Sequence, residues 1–321
     1  MDVKTSSSEP AKYSRLVRRF TDRAGLGVTA SSEEVIASLV ARVRRECRGA
    51  GTSEQQTQRV LKKRNICSVQ AVRDMHSDGL IEPVGQNFQA GFRVILKDQS
   101  NVARLRFTLA HEICHTFFYE FVPEIKFSGS ELDPIEERLC DLGAAELLMP
   151  AVSIKKAARS MPVCLESLYS LANDYAVSLS AMFLRLRSLR LWKGEFSEWH
   201  RMLNGTFALK YFYGGSFKQW EWDDKSILNT AWNTPKFSYG HAFVKYDDDR
   251  GVKRFKPTHY EVGRFGNRIL ALWGSTIETP TRVYPLFEPL RSKEVTVARG
   301  PNTSNHQMLP SLSAIAYPLT R

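Results

Sequence analysis

The chain has 321 residues, of which 43% are hydrophobic and 25% are charged. This composition indicates a globular protein and excludes a disordered or fibrous one, and the length predicts two or three domains of about 100–200 residues each. The net charge of +11 lies at the two ends, since residues 1–75 and 201–321 each carry +7 whereas residues 76–200 carry −3. We interpret the basic ends as solvated surface in preference to a nucleic-acid interface.

The sequence predicts a cytoplasmic protein without a membrane partner. Residues 1–14 are polar and lack the apolar core of a secretory signal. No apolar run approaches the roughly 18 residues that would span a bilayer. The five cysteines are odd in number and form no CxxC pair, which is typical of a reducing compartment.

The first predicted elements are helical. Residues 1–15 are Ser-rich and predicted to be disordered, and helices are predicted over 16–20 and 32–47. Ser31 or Ser32 is expected to cap the second of these helices, because serine at that position accepts a hydrogen bond from the first turn.

The middle of the chain predicts one strand and two helices. Its segments, in order, are a polar break at 49–58, a strand at 91–98 (GFRVILKD), a helix that is capped by Ser100 or Asn101 and runs through Ile113, a loop at 122–134, and a helix at 135–148. Three short amphipathic helical patterns follow within 152–192. From about Trp199 apolar residues alternate, which predicts a β-rich region.

The most specific motif is His111-Glu112-Ile113-Cys114-His115, on the first helix of the middle region. Residues i and i+4 share one face of a helix, so both imidazoles can bind one metal ion. Glu112 lies beside that face, where it can act as a general base toward water without being a ligand. The Cys114 thiol points elsewhere and is predicted to lie in the core.

A metal site of this kind needs a third protein ligand and one open position. Glu137 follows His115 by 22 residues on the next predicted helix, and Asp141 lies one turn later, where it can accept the outer N–H of a ligating histidine. Glu136 is the rival ligand, but one residue turns it about 100° from the Asp141 face, which favours Glu137. Two histidines and a carboxylate accept several divalent ions, so manganese is an alternative to zinc.

The two motif blocks, RLRFTLAHEICH and EERLCDLGAAELLMP, resemble the ImmA/IrrE metallo-endopeptidase family. That family reads R-F-T-x-A-H-E-x-G-H and then E-x-x-A-N/D-x-F-A-A-x-L-L-M-P. Cys114, Cys140 and Gly143 depart from the pattern at packing positions, and no departure removes a candidate ligand or the base. The resemblance is specific over residues 85–150 and fainter to residue 192.

This resemblance implies a peptidase that binds zinc or manganese and cleaves a helix-turn-helix repressor, thereby derepressing a mobile element or a stress regulon. It also implies an α+β fold in which a peptidase domain precedes a helix-turn-helix-like segment and a sensor-like domain. We therefore expect a disordered N-terminus (1–15), a zincin-like metallopeptidase domain (16–150), a helix-turn-helix-like segment (151–194), a β-rich C-terminal domain (195–297) and a loose tail (298–321).

Secondary signals remain open. The helix-turn-helix-like segment could contact DNA through Arg185, Arg187 and Arg190, although we favour packing against the peptidase domain as its role. Tyr119 continues the row of the two histidines and is a candidate for polarising a carbonyl, although such residues are more often core. The strand at 91–98 could pair with an extended substrate by β-addition.

Three functions are compatible with these patterns. The first, which we prefer, is a zinc-dependent regulatory endopeptidase in which His111, His115 and Glu137 hold the metal and Glu112 transfers a proton from water to the leaving amine. The second is a DNA-binding transcriptional regulator with a structural or sensory metal site. The third is a binding-only protein, against which Glu112 argues because binding needs no general base.

Overall fold

The computed structural model describes residues 20, 22, 31–49, 53–85, 90–121, 134–214, 225–234, 237–247 and 253–274. The predicted disordered N-terminus and the predicted loose tail lie outside these residues. The described residues fall into two compact units, the first ending at Pro150 and the second beginning at Ala151.

The described residues form eight helices and eight strands. The helices are α1 (Ser32–Glu46), α2 (Ser53–Lys63), α3 (Val102–Phe121), α4 (Pro134–Leu148), α5 (Ala151–Ala158), α6 (Leu165–Asp174), α7 (Leu179–Ser188) and α8 (Lys225–Asn233). The strands are β1 (Ile66–Val72), β2 (Gly79–Pro83), β3 (Phe92–Lys97), β4 (Glu195–Arg201), β5 (Phe207–Tyr213), β6 (Ser238–Asp247), β7 (Lys253–Phe265) and β8 (Arg268–Trp273). The mixed α+β class is confirmed.

The first unit is built on a three-stranded sheet in the order β1-β3-β2. Strand β3 pairs in parallel with β1 and antiparallel with β2. Phe92, Val94 and Leu96 of β3 are buried while the intervening residues are more exposed, as expected of the predicted strand. Helix α3 packs across β2 and β3, α4 packs on α3, and α1 packs on α4.

Helix ends and helix contacts in this unit follow from short polar side chains and one glycine. Ser31 forms a reciprocal capping box with Glu34 at the start of α1, and Asn101 accepts the Arg104 N–H at the start of α3. A Cβ atom at Gly143 would lie 2.6 Å from Cys114 Sγ. The departure from the family pattern at Gly143 therefore permits close approach of α3 and α4.

Part of this unit differs from the sequence prediction. Helix α2 begins at Ser53, inside the stretch 49–58 that we predicted as a break, so that prediction is wrong there. Its sequence is SEQQTQRVLKK, and within residues 55–63 the buried side chains are Val60 and Leu61. So narrow an apolar stripe gives little helical signal. Strands β1 and β2 are also additions to the prediction.

The second unit combines four helices with a five-stranded antiparallel sheet in the order β5-β4-β8-β7-β6. Helices α5 to α7 confirm the three helical patterns, and residues 175–178 separate α6 from α7. The first strand of the β-rich region begins at Glu195, before the alternation that starts at about Trp199, and helix α8 interrupts the region. Among the described residues, no helix combines the length and the apolar character that crossing a bilayer would require.

Candidate metal centre

The predicted ligands converge where α3 faces α4. His111 Nε2 lies 3.2 Å from His115 Nε2 and 3.2 Å from a Glu137 carboxylate oxygen, and His115 Nε2 lies 3.4 Å from the other oxygen of Glu137. The two histidines come together because they are one helical turn apart, and Glu137 faces them from the first turn of α4.

These separations fit a divalent metal ion. Ligands at about 2.0–2.2 Å from a tetrahedral zinc lie about 3.3–3.6 Å from one another, close to the separations among the three donor atoms. His111, His115 and Glu137 also form one of the donor groups that could hold an ion. Two imidazoles and one carboxylate are the donor set of hydrolytic zinc sites and leave a fourth position for water.

The outer nitrogen of His111 is held by Asp141. His111 Nδ1–H donates to Asp141 Oδ1 at 2.9 Å, so that Nε2, which faces His115 and Glu137, is the nitrogen available to a metal ion once it has lost its proton. Burial works to lower the pKa of His111, but the hydrogen bonds with Asp141 and Glu137 outweigh it and raise the pKa to about 9. Without metal, the His111 ring is therefore protonated on both nitrogens and positively charged at neutral pH.

The outer nitrogen of His115 is held by Glu136, a role that the sequence analysis missed. His115 Nδ1–H donates to Glu136 Oε1 at 2.7 Å, and both side chains are more than 90% buried. Glu136 was weighed as a rival ligand and is indeed rotated away from the Asp141 face. This rotation brings the Glu136 carboxylate to the Nδ1 side of His115. The signal in the sequence that could have indicated this role is the pair of adjacent glutamates, Glu136 and Glu137, on the helix that follows the HExxH helix.

Charge at the centre is balanced between acids and imidazoles. Hydrogen bonds with His111 and His115 lower the pKa of Glu137 to about 2, so this carboxylate stays ionised as a ligand must. Burial works to lower the pKa of His115, but Cys140, Glu136 and Glu137 more than offset it and hold the pKa well above its usual value. Binding of a divalent ion would release one proton from each imidazole, so the net charge of the three candidate ligands and the ion together would stay nearly the same.

Glu112 is buried beside the three candidate ligands, and its carboxylate contacts strand β2. It lies on α3 next to His111, and its carboxylate faces Gly79, the first residue of β2. Burial raises the pKa of Glu112, partly offset by the two histidines. A carboxylate with a raised pKa beside a metal site is suited to accept and return a proton near neutral pH.

Helix α3 is anchored from behind by Arg64, which follows α2. Arg64 Nε–H donates to Thr116 Oγ1 at 2.8 Å and its Nη2 donates to Glu120 at 2.8 Å. The guanidinium also stacks 4.0 Å over the Phe117 ring. These contacts fix the turn of α3 that carries His115.

The strand that we considered for β-addition is the wrong one. Strand β3 is central in its sheet and its backbone is already paired on both sides, so it cannot receive a substrate strand. Strand β2 is at the edge, and no described strand pairs with its other side.

Backbone hydrogen bonds fix which residues of β2 face outward. Lys97 N–H donates to Asp78 C=O at 2.8 Å, and Val84 N–H donates to Gly91 C=O at 2.8 Å. Because bonded and non-bonded pairs alternate along an antiparallel ladder, the even-numbered residues of β2 bond to β3. The odd-numbered residues therefore direct their N–H and C=O groups away from β3. They are Gly79, Ile81 and Pro83, of which Pro83 has no N–H.

The remaining sequence candidates are Tyr119 on α3 and three arginines of the second unit. Tyr119 is 3% exposed and packs 4.9 Å from the Phe92 ring, so it is a core residue. In the second unit Arg185 is 8% exposed on α7, whereas Arg187 is half-buried and Arg190 is exposed. A DNA contact by Arg185 would require its side chain to leave the core.

Comparison with known proteins concentrates on the region of the two motif blocks. Residues 75–187 match the model of a peptidase family described as the IrrE N-terminal-like domain. Over 96 residues the chain is 38% identical to the radiation response metalloprotease IrrE of Deinococcus deserti, which covers 25% of this chain and 34% of that protein. The chain thus matches about a third of the length of this curated relative.

A solved structure of a Mycobacterium tuberculosis transcriptional regulator aligns with 82% of this chain and 81% of its own. The identity is 13% and the TM-score is 0.42. At that score the similarity carries no argument about fold or function.

Proposed function

Since residues 75–187 belong to the IrrE N-terminal-like peptidase family, we propose that this chain is a metal-dependent endopeptidase with a regulatory substrate. The matched region contains both motif blocks, so the match confirms the family resemblance seen in the sequence. The observation that carries the proposal is the convergence of His111, His115 and Glu137 at separations of 3.2–3.4 Å, with buried Glu112 alongside.

His111, His115 and Glu137 are the proposed ligands, and Asp141 and Glu136 orient the two imidazoles. Zinc is the preferred ion because this donor set suits a tetrahedral site, with manganese as the alternative. When bound, a divalent ion there lowers the pKa of water and polarises the carbonyl of the scissile bond.

Glu112 is the proposed general base. Its carboxylate accepts a proton from the attacking water and then returns it to the departing amine nitrogen, so the same group serves as base and as acid. Burial favours this cycle, since it raises the pKa of the carboxyl and so makes it a better proton acceptor.

An extended segment of substrate is proposed to add to the edge of β2. Gly79, which lies beside the base, and Ile81 offer outward N–H and C=O groups, and Pro83 offers only a carbonyl. Pairing through backbone groups requires the substrate to be extended at the cleaved bond, so a linker or loop fits and an intact helix does not. Pro83 limits the ladder to a short segment.

The finer proposal is that the substrate is a helix-turn-helix transcriptional repressor, cleaved in response to stress or DNA damage or during release of a mobile element. It is supported by the family resemblance and by the radiation-response name of the Deinococcus deserti relative. Cleavage between the DNA-binding and dimerisation parts of a repressor would remove repression without a need for any further contact with DNA.

A DNA-binding regulator remains the alternative function. Helices α6 and α7, separated by residues 175–178 with Ala176 at φ 49°, have the length and turn of a helix-turn-helix. Against it, the side chain of Arg185 is buried. If DNA is bound through this segment, affinity should fall steeply with salt and should be lost in the Arg187→Ala/Arg190→Ala variant.

The experiment that tests the proposal is a census of protein N-termini in cells carrying the wild type or Glu112→Gln, with and without DNA damage. A new N-terminus found only with the wild type would establish proteolysis and identify the substrate. Identical N-termini in both strains under both conditions would contradict the regulatory peptidase and favour the DNA-binding regulator.

A further inference from the structure

Gly79 leaves room for the proposed general base. A Cβ atom at this position would lie 2.5 Å from Glu112 Oε1 and 2.5 Å from Thr108 Cγ2. Both distances are far below ordinary van der Waals contact, so the Glu112 carboxylate occupies the space that any side chain at residue 79 would need. The backbone of Gly79 is not in the left-handed region, so this contact, and not the chain conformation, requires glycine.

The same residue also faces the proposed substrate. Gly79 is an outward residue of β2, so its N–H and C=O groups are directed toward an added strand while its Cα lies against Glu112. A substrate bond that pairs with Gly79 therefore comes next to the base. Gly79 thus contacts both partners: its Cα lies against the Glu112 carboxylate, and its N–H and C=O groups face the proposed substrate strand.

Strand β2 is tied to α3 immediately before this contact. Arg104 on α3 donates to Asp78 through Nε at 2.8 Å and through Nη2. Further along, Ile81 is buried in the core of the unit. Strand β2 is held at both points, so a clash between a side chain at residue 79 and α3 is relieved most easily by movement of the Glu112 carboxylate. This carboxylate is the free end of a flexible side chain.

From these contacts we infer that Gly79 is a positioning residue: its missing side chain holds Glu112 within reach of the water and of the substrate bond paired with β2. This inference rests on the proposed peptidase function. Gly79 is not a ligand of the metal, so a methyl group at residue 79 should lower the rate of catalysis and leave metal binding and substrate binding nearly unchanged.

The test is the Gly79→Ala variant of the full chain, assayed with a randomised decapeptide library whose products are identified by mass spectrometry. We expect kcat to fall about 100-fold, because displacement of a catalytic group by about 1 Å costs this much. KM should change less than about threefold, and the zinc content should equal that of the wild type. Gly49→Ala is the matched control, since a Cβ there would meet Arg59 only at 3.4 Å.

Substrate binding is measured separately with a decapeptide that the wild type cleaves. In the Glu112→Gln background, where cleavage is absent, addition of Gly79→Ala should leave the Kd of this peptide unchanged within about threefold. A loss of peptide affinity or of zinc would show that Gly79 supports the strand or the fold and would overturn the inference.

A double variant separates movement of the base from movement of the strand. If Gly79→Ala acts by pushing β2 off Thr108, then Thr108→Ser should restore the kcat of Gly79→Ala, and our inference is wrong. If Glu112 is displaced, the kcat stays low. Failure of the wild type to cleave any peptide would refute the peptidase proposal itself, whereas equal kcat of wild type and Gly79→Ala would refute only the role of Gly79.

Discussion

Each unit holds a glutamate whose pKa is shifted, and the two carboxylates face different partners. In the first unit Glu137 lies within 3.4 Å of two imidazole nitrogens, which lower its pKa to about 2. In the second unit Glu261 on β7 is fully buried and accepts hydrogen bonds from Leu165 N–H at 2.6 Å and from Tyr239 O–H at 3.0 Å. Burial raises the pKa of Glu261 to about 7, only partly offset by those bonds.

This difference shows that the partners of a carboxylate determine what it can do chemically. Imidazoles can exchange their protons for a metal ion, so the acids around them remain ionised in either state. The amide and phenol beside Glu261 have no charge to exchange, and that carboxylate instead ties the first residue of α6 to the sheet. We therefore expect pH to affect metal binding in the first unit and folding stability in the second.

The largest expected effect is on metal affinity. The pKa of His111 is raised to about 9 and that of His115 is raised as well, so below pH 9 metal must displace protons from the apo site. Affinity should consequently increase with pH, by at least about tenfold per unit between pH 6 and pH 8, which is at least about 100-fold overall. Zinc competition with a chelator of known affinity measures this slope. A flat profile would contradict the proton exchange.

The next effect compares the two carboxylates that orient the imidazoles. Glu136→Gln should lower zinc affinity by about 10- to 100-fold, because it weakens a buried hydrogen bond to His115. Asp141→Asn should cost less, since the Asp141 side chain is 60% exposed and water can replace it. Glu33→Gln, which changes an exposed ion pair on α1, is the control. Equal losses for Glu136→Gln and Asp141→Asn would show that burial does not distinguish them.

The smallest expected effect is on the stability of the second unit. The pKa of Glu261 is about 7 when folded and near 4.5 when unfolded, so folding retains a proton in that range. The stabilisation is present at acidic pH and is lost as pH rises through 7, by about 2 kcal/mol between pH 5 and pH 8. Glu261→Gln should abolish this change.

Tryptophan fluorescence during urea unfolding reports this unit selectively, because all six tryptophans lie between residues 192 and 273. Asp174→Asn, at an exposed position at the end of α6, should retain the wild-type pH dependence. The prediction fails if Glu261→Gln and the wild type lose the same stability over this range.

How much could be predicted varies with how local the signal is. Helices α3 and α4 were predicted with their facing residues because HExxH and the following ExxxD repeat at helical spacing. The role of Glu136 was not, because the choice between adjacent glutamates depends on how two helices are rotated about each other. Only packing, such as the close contact at Gly143, sets that rotation.

Strand pairing was the least predictable feature. The apolar alternation of β3 identified a strand but carried no information about its neighbours, so its suitability for β-addition was misjudged. Strand β2, GLIEP, is five residues long with glycine and proline at its ends, which hides it among turn sequences. The contact between Gly79 and Glu112 joins positions 33 residues apart, and no local pattern reports it.

The central claim is that metal binding and base catalysis are separate functions of one motif. Its most direct test is zinc content and peptide-library cleavage of purified Glu112→Gln and His115→Ala, with His76→Ala as an exposed histidine control. We predict that Glu112→Gln retains zinc while cleavage falls by at least about 100-fold, and that His115→Ala loses both zinc and cleavage. Cleavage by Glu112→Gln at the wild-type rate, or by a zinc-free His115→Ala, would contradict the account.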